Sequence, residues 1–128
     1  MSKYQVIPLS GFNDISFGMS RSQVHTLLGS PNREFFKSKY SKVSTDDYGD
    51  FHIFYDKENS FEAVEFFEID EVFDCKNGIA AKDMLSSESH PYKFNKEDDG
   101  FIDPELSIGI YAPHDAIESV LFGAKNYY

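Results

Sequence analysis

The sequence predicts an α+β fold: an antiparallel β-sheet built from hairpins, with two helices packed on one of its faces. Three features carry that expectation. A capped helix is written into residues 20–31, an aromatic hairpin into residues 51–67, and a second hairpin into residues 106–122. Residues 1–128 are expected to form a single compact domain, because a chain of 128 residues can bury a core without disulfides or metals.

Residues 4–9 read as a short apolar strand. Ser20 is an N-cap, and Gln23 three residues later completes a capping-box pattern. Val24, Leu27 and Leu28 share one helical face, and Gly29 with Pro31 stops the helix. Paired phenylalanines at 35 and 36 start a strand near residue 32, and residues 38–50 form a loop or strand edge. Residues 51–55 and 61–67 are aromatic and β-branched, flank the turn at 56–60, and read as a hairpin. Asn77-Gly78 introduces a second, weaker helix over residues 79–86. The last hairpin pairs residues 106–111 with 117–122.

The two hairpins align without a gap at an offset of 56: Tyr55 falls on Tyr111, Phe61 on Ile117, Val64 on Val120 and Phe66 on Phe122. That alignment suggests two helix-plus-hairpin pseudo-repeats sharing one sheet.

Composition narrows the function. Twelve basic residues against 22 acidic ones leave a net charge of −10, and nucleic-acid affinity comes largely from Lys and Arg on phosphates. Direct nucleic-acid binding is therefore not expected; an acidic surface attracts basic proteins and speeds their encounter. No apolar run approaches the length of a membrane helix, and the N-terminus lacks a signal-peptide core. With Cys75 as the only cysteine, a reduced cytoplasmic compartment is expected and no membrane partner.

No catalytic, cofactor or metal site is legible. His25, His52, His90 and His114 occupy four separate segments with no zinc-ligand spacing, and no Gly-x-Ser-x-Gly surrounds any serine. Asn95, Glu97, Asp99 and Gly100 miss the ligand order of a calcium loop. The carboxylates gather instead around Asp46, Asp47 and Asp50, along residues 58–74, and at Glu97, Asp98, Asp99 and Asp103. Glu62 and Glu65 have odd spacing on one strand, which points them to opposite faces. Acidic segments interleaved with Tyr48, Phe101, Tyr127 and Tyr128 suit a partner rich in Arg and Lys.

Residues 15–31 resemble the signature G-M-S/T-x-x-x-V-x-x-x-L-G-x-P of small bacterial α+β domains, including the lipoprotein family of the outer-membrane assembly machine. This sequence departs from that family in having neither a signal peptide nor a lipidation cysteine, which argues against an envelope role. In size, charge and sheet content the whole chain looks more like the small acidic immunity proteins of bacterial toxin systems, such as contact-dependent growth inhibition. That resemblance implies an inhibitor that neutralises a cognate toxin domain, a basic nuclease, by blocking its active site or substrate surface. The expected partner-binding residues are Asp98, Asp99 and Asp103, then Asp46, Asp47 and Glu65, with Tyr127 and Tyr128 as apolar anchors. The alternative is a non-catalytic adaptor module.

Overall fold

The computed structural model describes residues 2–86 and 91–128, and among these the chain is mainly β, with thirteen strands in two sheets and one α-helix. The smaller sheet contains β1 (Tyr4–Ile7), β2 (Gly11–Phe12), β3 (Ile15–Ser16), β8 (Val72–Asp74) and β9 (Ile79–Ala80), in the order β3-β2-β1-β8-β9. Helix α1 (Arg21–Leu28) leads from it into the larger sheet. That sheet is formed by β4 (Arg33–Phe35), β5 (Thr45–Asp47), β6 (Phe51–Tyr55), β7 (Phe61–Phe66), β10 (Asn95–Glu97), β11 (Gly100–Asp103), β12 (Ile108–Tyr111) and β13 (Ser119–Gly123). Its order is β10-β11-β12-β13-β7-β6-β5-β4, antiparallel throughout.

The two-helix arrangement is thus corrected: a second sheet, not a helix pair, covers one face of the large sheet. Tyr4 and Phe12 of the small sheet meet Phe51 and Phe66 of the large one, with ring centroids 5.2–5.3 Å apart. Val6, Phe66, Val64, Val120 and Phe122 are fully buried at the same layer. Residues 79–86 do not form a helix because their start is already taken: Ile79 and Ala80 pair with Asp74 and Phe73. Asn77-Gly78 belongs to that hairpin's turn, with Gly78 at φ +71° and the Asp74 carboxylate accepting from the N–H groups of Lys76 and Asn77. Only a single 3₁₀ turn, Ala81–Asp83, follows, too short to sustain an α-helix by itself.

The pseudo-repeat also fails in detail. At an offset of 56, the Phe51↔Phe66 pair would place Ser107 opposite Phe122, whereas Phe122 pairs with Ile108. A one-residue slip sends side chains to the other face. Tyr55 is accordingly buried and Tyr111 is 47% exposed, although Val120 and Phe122 do face the core as Val64 and Phe66 do.

The first helix and both hairpins form where the sequence places them. Ser20 accepts from the Gln23 N–H, and the Gln23 side chain accepts from the Ser20 N–H. The same segment is tied to the hairpin turn by Arg21 N–H to Asn59 carbonyl and Phe61 N–H to Met19 carbonyl. Ser20→Ala is expected to cost about 1 kcal/mol by opening one side of the capping box. A lower urea midpoint with an unchanged slope would report that loss; an unchanged midpoint would mean that the hairpin contacts alone hold the helix start.

One part of the helix reading changes. Val24 is fully buried, but Leu27 is 52% exposed. Leu28 joins Val24 in packing against the core, and Arg21 and His25, one turn apart, both reach the buried carboxylate of Asp46.

Candidate functional site

Strand alternation gives the large sheet a second face that the small sheet does not cover. On β12 and β13, Ile108, Ile110, Val120 and Phe122 point into the core, which sends Gly109, Tyr111, Ser119 and Leu121 outward. Register then aligns Ile102, Gly109, Leu121 and Glu65 in one row across β11, β12, β13 and β7. A neighbouring row contains Glu97, Gly100, Tyr111 and Ser119.

Glycines let neighbouring groups approach this part of the sheet closely. A Cβ at Gly100 would collide with the Ile110 carbonyl oxygen, and one at Gly109 would collide with the Tyr128 hydroxyl. At Gly123 a Cβ would meet the Tyr127 side chain at 2.6 Å. The C-terminal tyrosines therefore fold back over β12 and β13, where the sheet lacks side chains. Ala124 N–H to Glu62 carbonyl and Tyr127 N–H to Ala124 carbonyl fix the tail, and the two tyrosine rings meet edge-on at 5.2 Å. Beside the tail lies an open depression of about 210 Å³ whose lining includes Gly100, Gly109, Tyr111 and Tyr128 together with Glu65, Glu97 and Asp99.

Burial, followed by the neighbouring Tyr127 and the Glu65 charge, holds the Tyr128 hydroxyl above its ordinary pKa. Burial and then the charges of Glu62 and Glu65 do the same to Tyr127. Strict alternation does not carry from Glu62 to Glu65, on which the opposite-face expectation rested. The cause is an irregularity in the hairpin: Phe54 pairs with Ala63 and Tyr55 with Phe61, leaving Glu62 unmatched and breaking the alternation.

The candidate residues separate into two groups. Glu65, Asp99 and Tyr128 converge on the depression, Tyr127 supports its tail wall, and Asp98 lies exposed beside Asp99 in the β10–β11 turn. Glu65 accepts from the Ser119 hydroxyl at 2.6 Å. Among the described residues no Lys, Arg or His pairs with Glu65, Glu97, Asp98 or Asp99.

Asp46, Asp47 and Asp103 are instead engaged within the fold. Asp103 is 1% exposed and accepts from the backbone N–H groups of Lys93, Glu105 and Leu106 at 2.8–3.1 Å. Asp47 is bound by Arg33 Nε and the Gly49 N–H, both at 2.8 Å, and the Arg33 hydrogen bond leads in holding its pKa below 3.8. Asp46 has no exposed surface. It accepts from Arg21 at 2.6 Å and from His25 and Tyr55 at 2.7 Å, while the Arg21 guanidinium stacks 4.4 Å above the Tyr55 ring.

The His25–Asp46 pair resembles half of a nucleophilic triad, but its surroundings serve structure. Ser20 is committed to the capping box, Ser22 contacts Ser20, and no hydroxyl or thiol among the described residues hydrogen-bonds His25. Asp74 forms a comparable buried node, accepting from the Tyr92 hydroxyl at 2.6 Å and the Asn77 amide at 2.7 Å. Among the described residues, no group of three His, Cys, Asp or Glu side chains is placed to hold a metal ion; His90 lies outside them.

Sequence reasoning missed Tyr111 and left Glu97 out of the partner set. The alternation Ile108-Gly109-Ile110-Tyr111 carried the signal for Tyr111, since two buried isoleucines force the tyrosine outward. No family model, curated protein or solved structure matches this chain. No helix among the described residues is long and apolar enough to cross a membrane.

Proposed function

We propose that this chain is a non-catalytic inhibitor, an immunity protein that binds and neutralises a cognate toxin domain in the cytoplasm. The toxin domain on this reading is a nuclease with a basic substrate cleft. One observation carries the proposal: among the described residues Glu65, Glu97 and Asp99 have no cationic partner, and they border a depression beside half-exposed Tyr111 and Tyr128 on the outward face of the large sheet. Carboxylates there would occupy the positions of nucleic-acid phosphates in the toxin cleft. Opposite charge would speed the encounter, and the tyrosines would slow dissociation by burying ring area. Asp46 and Asp103 stand outside this surface, because neither has side-chain area to offer a partner.

Co-expression with the reading frame immediately upstream in the native operon tests this reading. Growth arrest by that frame alone, relieved by this chain through a stable complex that weakens at high salt, is the expected result. Absence of toxicity and of a complex would sink the inhibitor reading. A complex insensitive to salt would favour an adaptor that buries apolar surface.

A further inference from the structure

We infer that Asn77–Gly78 is a deamidation site of this chain and that Asp74 gates it, an inference independent of the inhibitor reading above. Of the six asparagines only Asn77 precedes a glycine. Glycine has no side chain to shield its nitrogen, which makes an Asn–Gly pair the readiest to react. The pair sits in the turn between β8 and β9, with Gly78 exposed, at φ +71°, and open space where a Cβ would be. In the reaction the Gly78 nitrogen attacks the Asn77 Cγ. The N–Cγ bond forms, the Cγ–Nδ2 bond breaks, and the proton of the attacking nitrogen leaves with the amide as ammonia. Water then opens the resulting succinimide ring and leaves aspartate or isoaspartate at this position.

Asp74 holds both reacting groups. Its backbone carbonyl accepts from the Gly78 N–H at 2.8 Å, and its carboxylate accepts from Asn77 Nδ2 at 2.7 Å. The reaction needs that N–H to give up its proton and that amide to depart, so it waits on local opening of the turn. Closure afterwards is opposed. Asp74 has no exposed surface, and among the described residues no Lys, Arg or His pairs with it. An aspartate product takes away one of its donors and sets a like charge against it. An isoaspartate product lengthens the backbone inside the turn that the Gly78 N–H and the Asp74 carbonyl close. The damage reaches further, because Asp74 also accepts from the Tyr92 hydroxyl at 2.6 Å, while Asp103 accepts from the Lys93 N–H at 2.8 Å. These two carboxylates pin the chain just ahead of β10, the strand that carries Glu97.

The test is to incubate the full chain at mildly alkaline pH, in native buffer and in urea, and to follow every asparagine by peptide mass spectrometry. In urea Asn77 is expected to convert before any other asparagine. In native buffer it should convert at least tenfold more slowly than in urea. Tyr92→Phe, which keeps the ring but removes a donor to Asp74, should speed the native reaction threefold or more, with circular dichroism verifying its fold. Chains converted in urea and then refolded should unfold at a lower urea midpoint than the parent. Asn77→Asp should fall below Asn77→Ala, which loses the donor without gaining a charge. A native rate within tenfold of the rate in urea, or an unchanged rate in Tyr92→Phe, would overturn the gate. Another asparagine converting first in urea would overturn the site, and refolded product with the parent's midpoint would overturn its lasting effect on the turn.

Discussion

Replacing Asp46 with alanine is expected to destabilise the fold by about 3–5 kcal/mol, the cost of breaking a buried ion pair and leaving its partner uncompensated. Arg21 would retain contacts with Glu34 and Ser44 but lose its 2.6 Å bond to the buried carboxylate. His25 and the buried Tyr55 hydroxyl would lose the same acceptor. The effect should spread through α1, because Arg21 and His25 are its two polar attachments to β5. For a domain of this size the melting midpoint should fall by roughly 15 °C. Asp98→Ala, at an exposed carboxylate, should stay within about 0.5 kcal/mol of the parent. Thermal and urea unfolding of both variants checks the contrast. Equal midpoints would mean that Arg21 and His25 find other acceptors and that the node does not hold the helix.

The same contrast shows how much of the molecule was legible beforehand. Short-range chemistry read well. Ser20, Gln23 and Gly29 lie within one helix, so their capping pattern depends on little else, and the turn at 56–60 joins strands that pair with each other. Long-range chemistry did not. The parallel pair β1–β8 joins Tyr4 to Val72, and no periodicity in residues 4–9 marks a partner that far along the chain. Strands of two or three residues, such as β2, β3 and β9, are too short for alternation to register.

For the site, residue type alone could not separate Asp46 from Asp99. Both belong to acidic runs near strands, yet one is buried under Arg21 and His25 and the other is exposed. That difference depends on which segment folds over which, and α1 crosses to β5 from 25 residues upstream of Asp46. Glu65 and Asp99 are likewise brought to one depression only by the strand order β10-β11-β12-β13-β7. Tyr128 joins them because Gly109 leaves room for its ring.

Neutralising that depression should separate binding from folding. The combined substitutions Glu65→Gln, Glu97→Gln and Asp99→Asn are expected to weaken the toxin complex by about two to three decades, or roughly 3–4 kcal/mol, within the range measured for charge pairs across tight interfaces. Stability should be unchanged or slightly higher, since the substitutions remove like charges that lack cationic partners among the described residues. Glu65→Gln keeps an acceptor for the Ser119 hydroxyl, so the local hydrogen bond survives. Most of the loss should fall on the association rate and flatten its salt dependence, whereas Tyr128→Ala should act mainly by speeding dissociation. Calorimetry, stopped-flow association at several salt concentrations and growth protection measure the three effects on the same variants. Full affinity and full protection with the three carboxylates neutralised would remove the depression from the interface, leaving its charge with no role beyond keeping an acidic chain soluble.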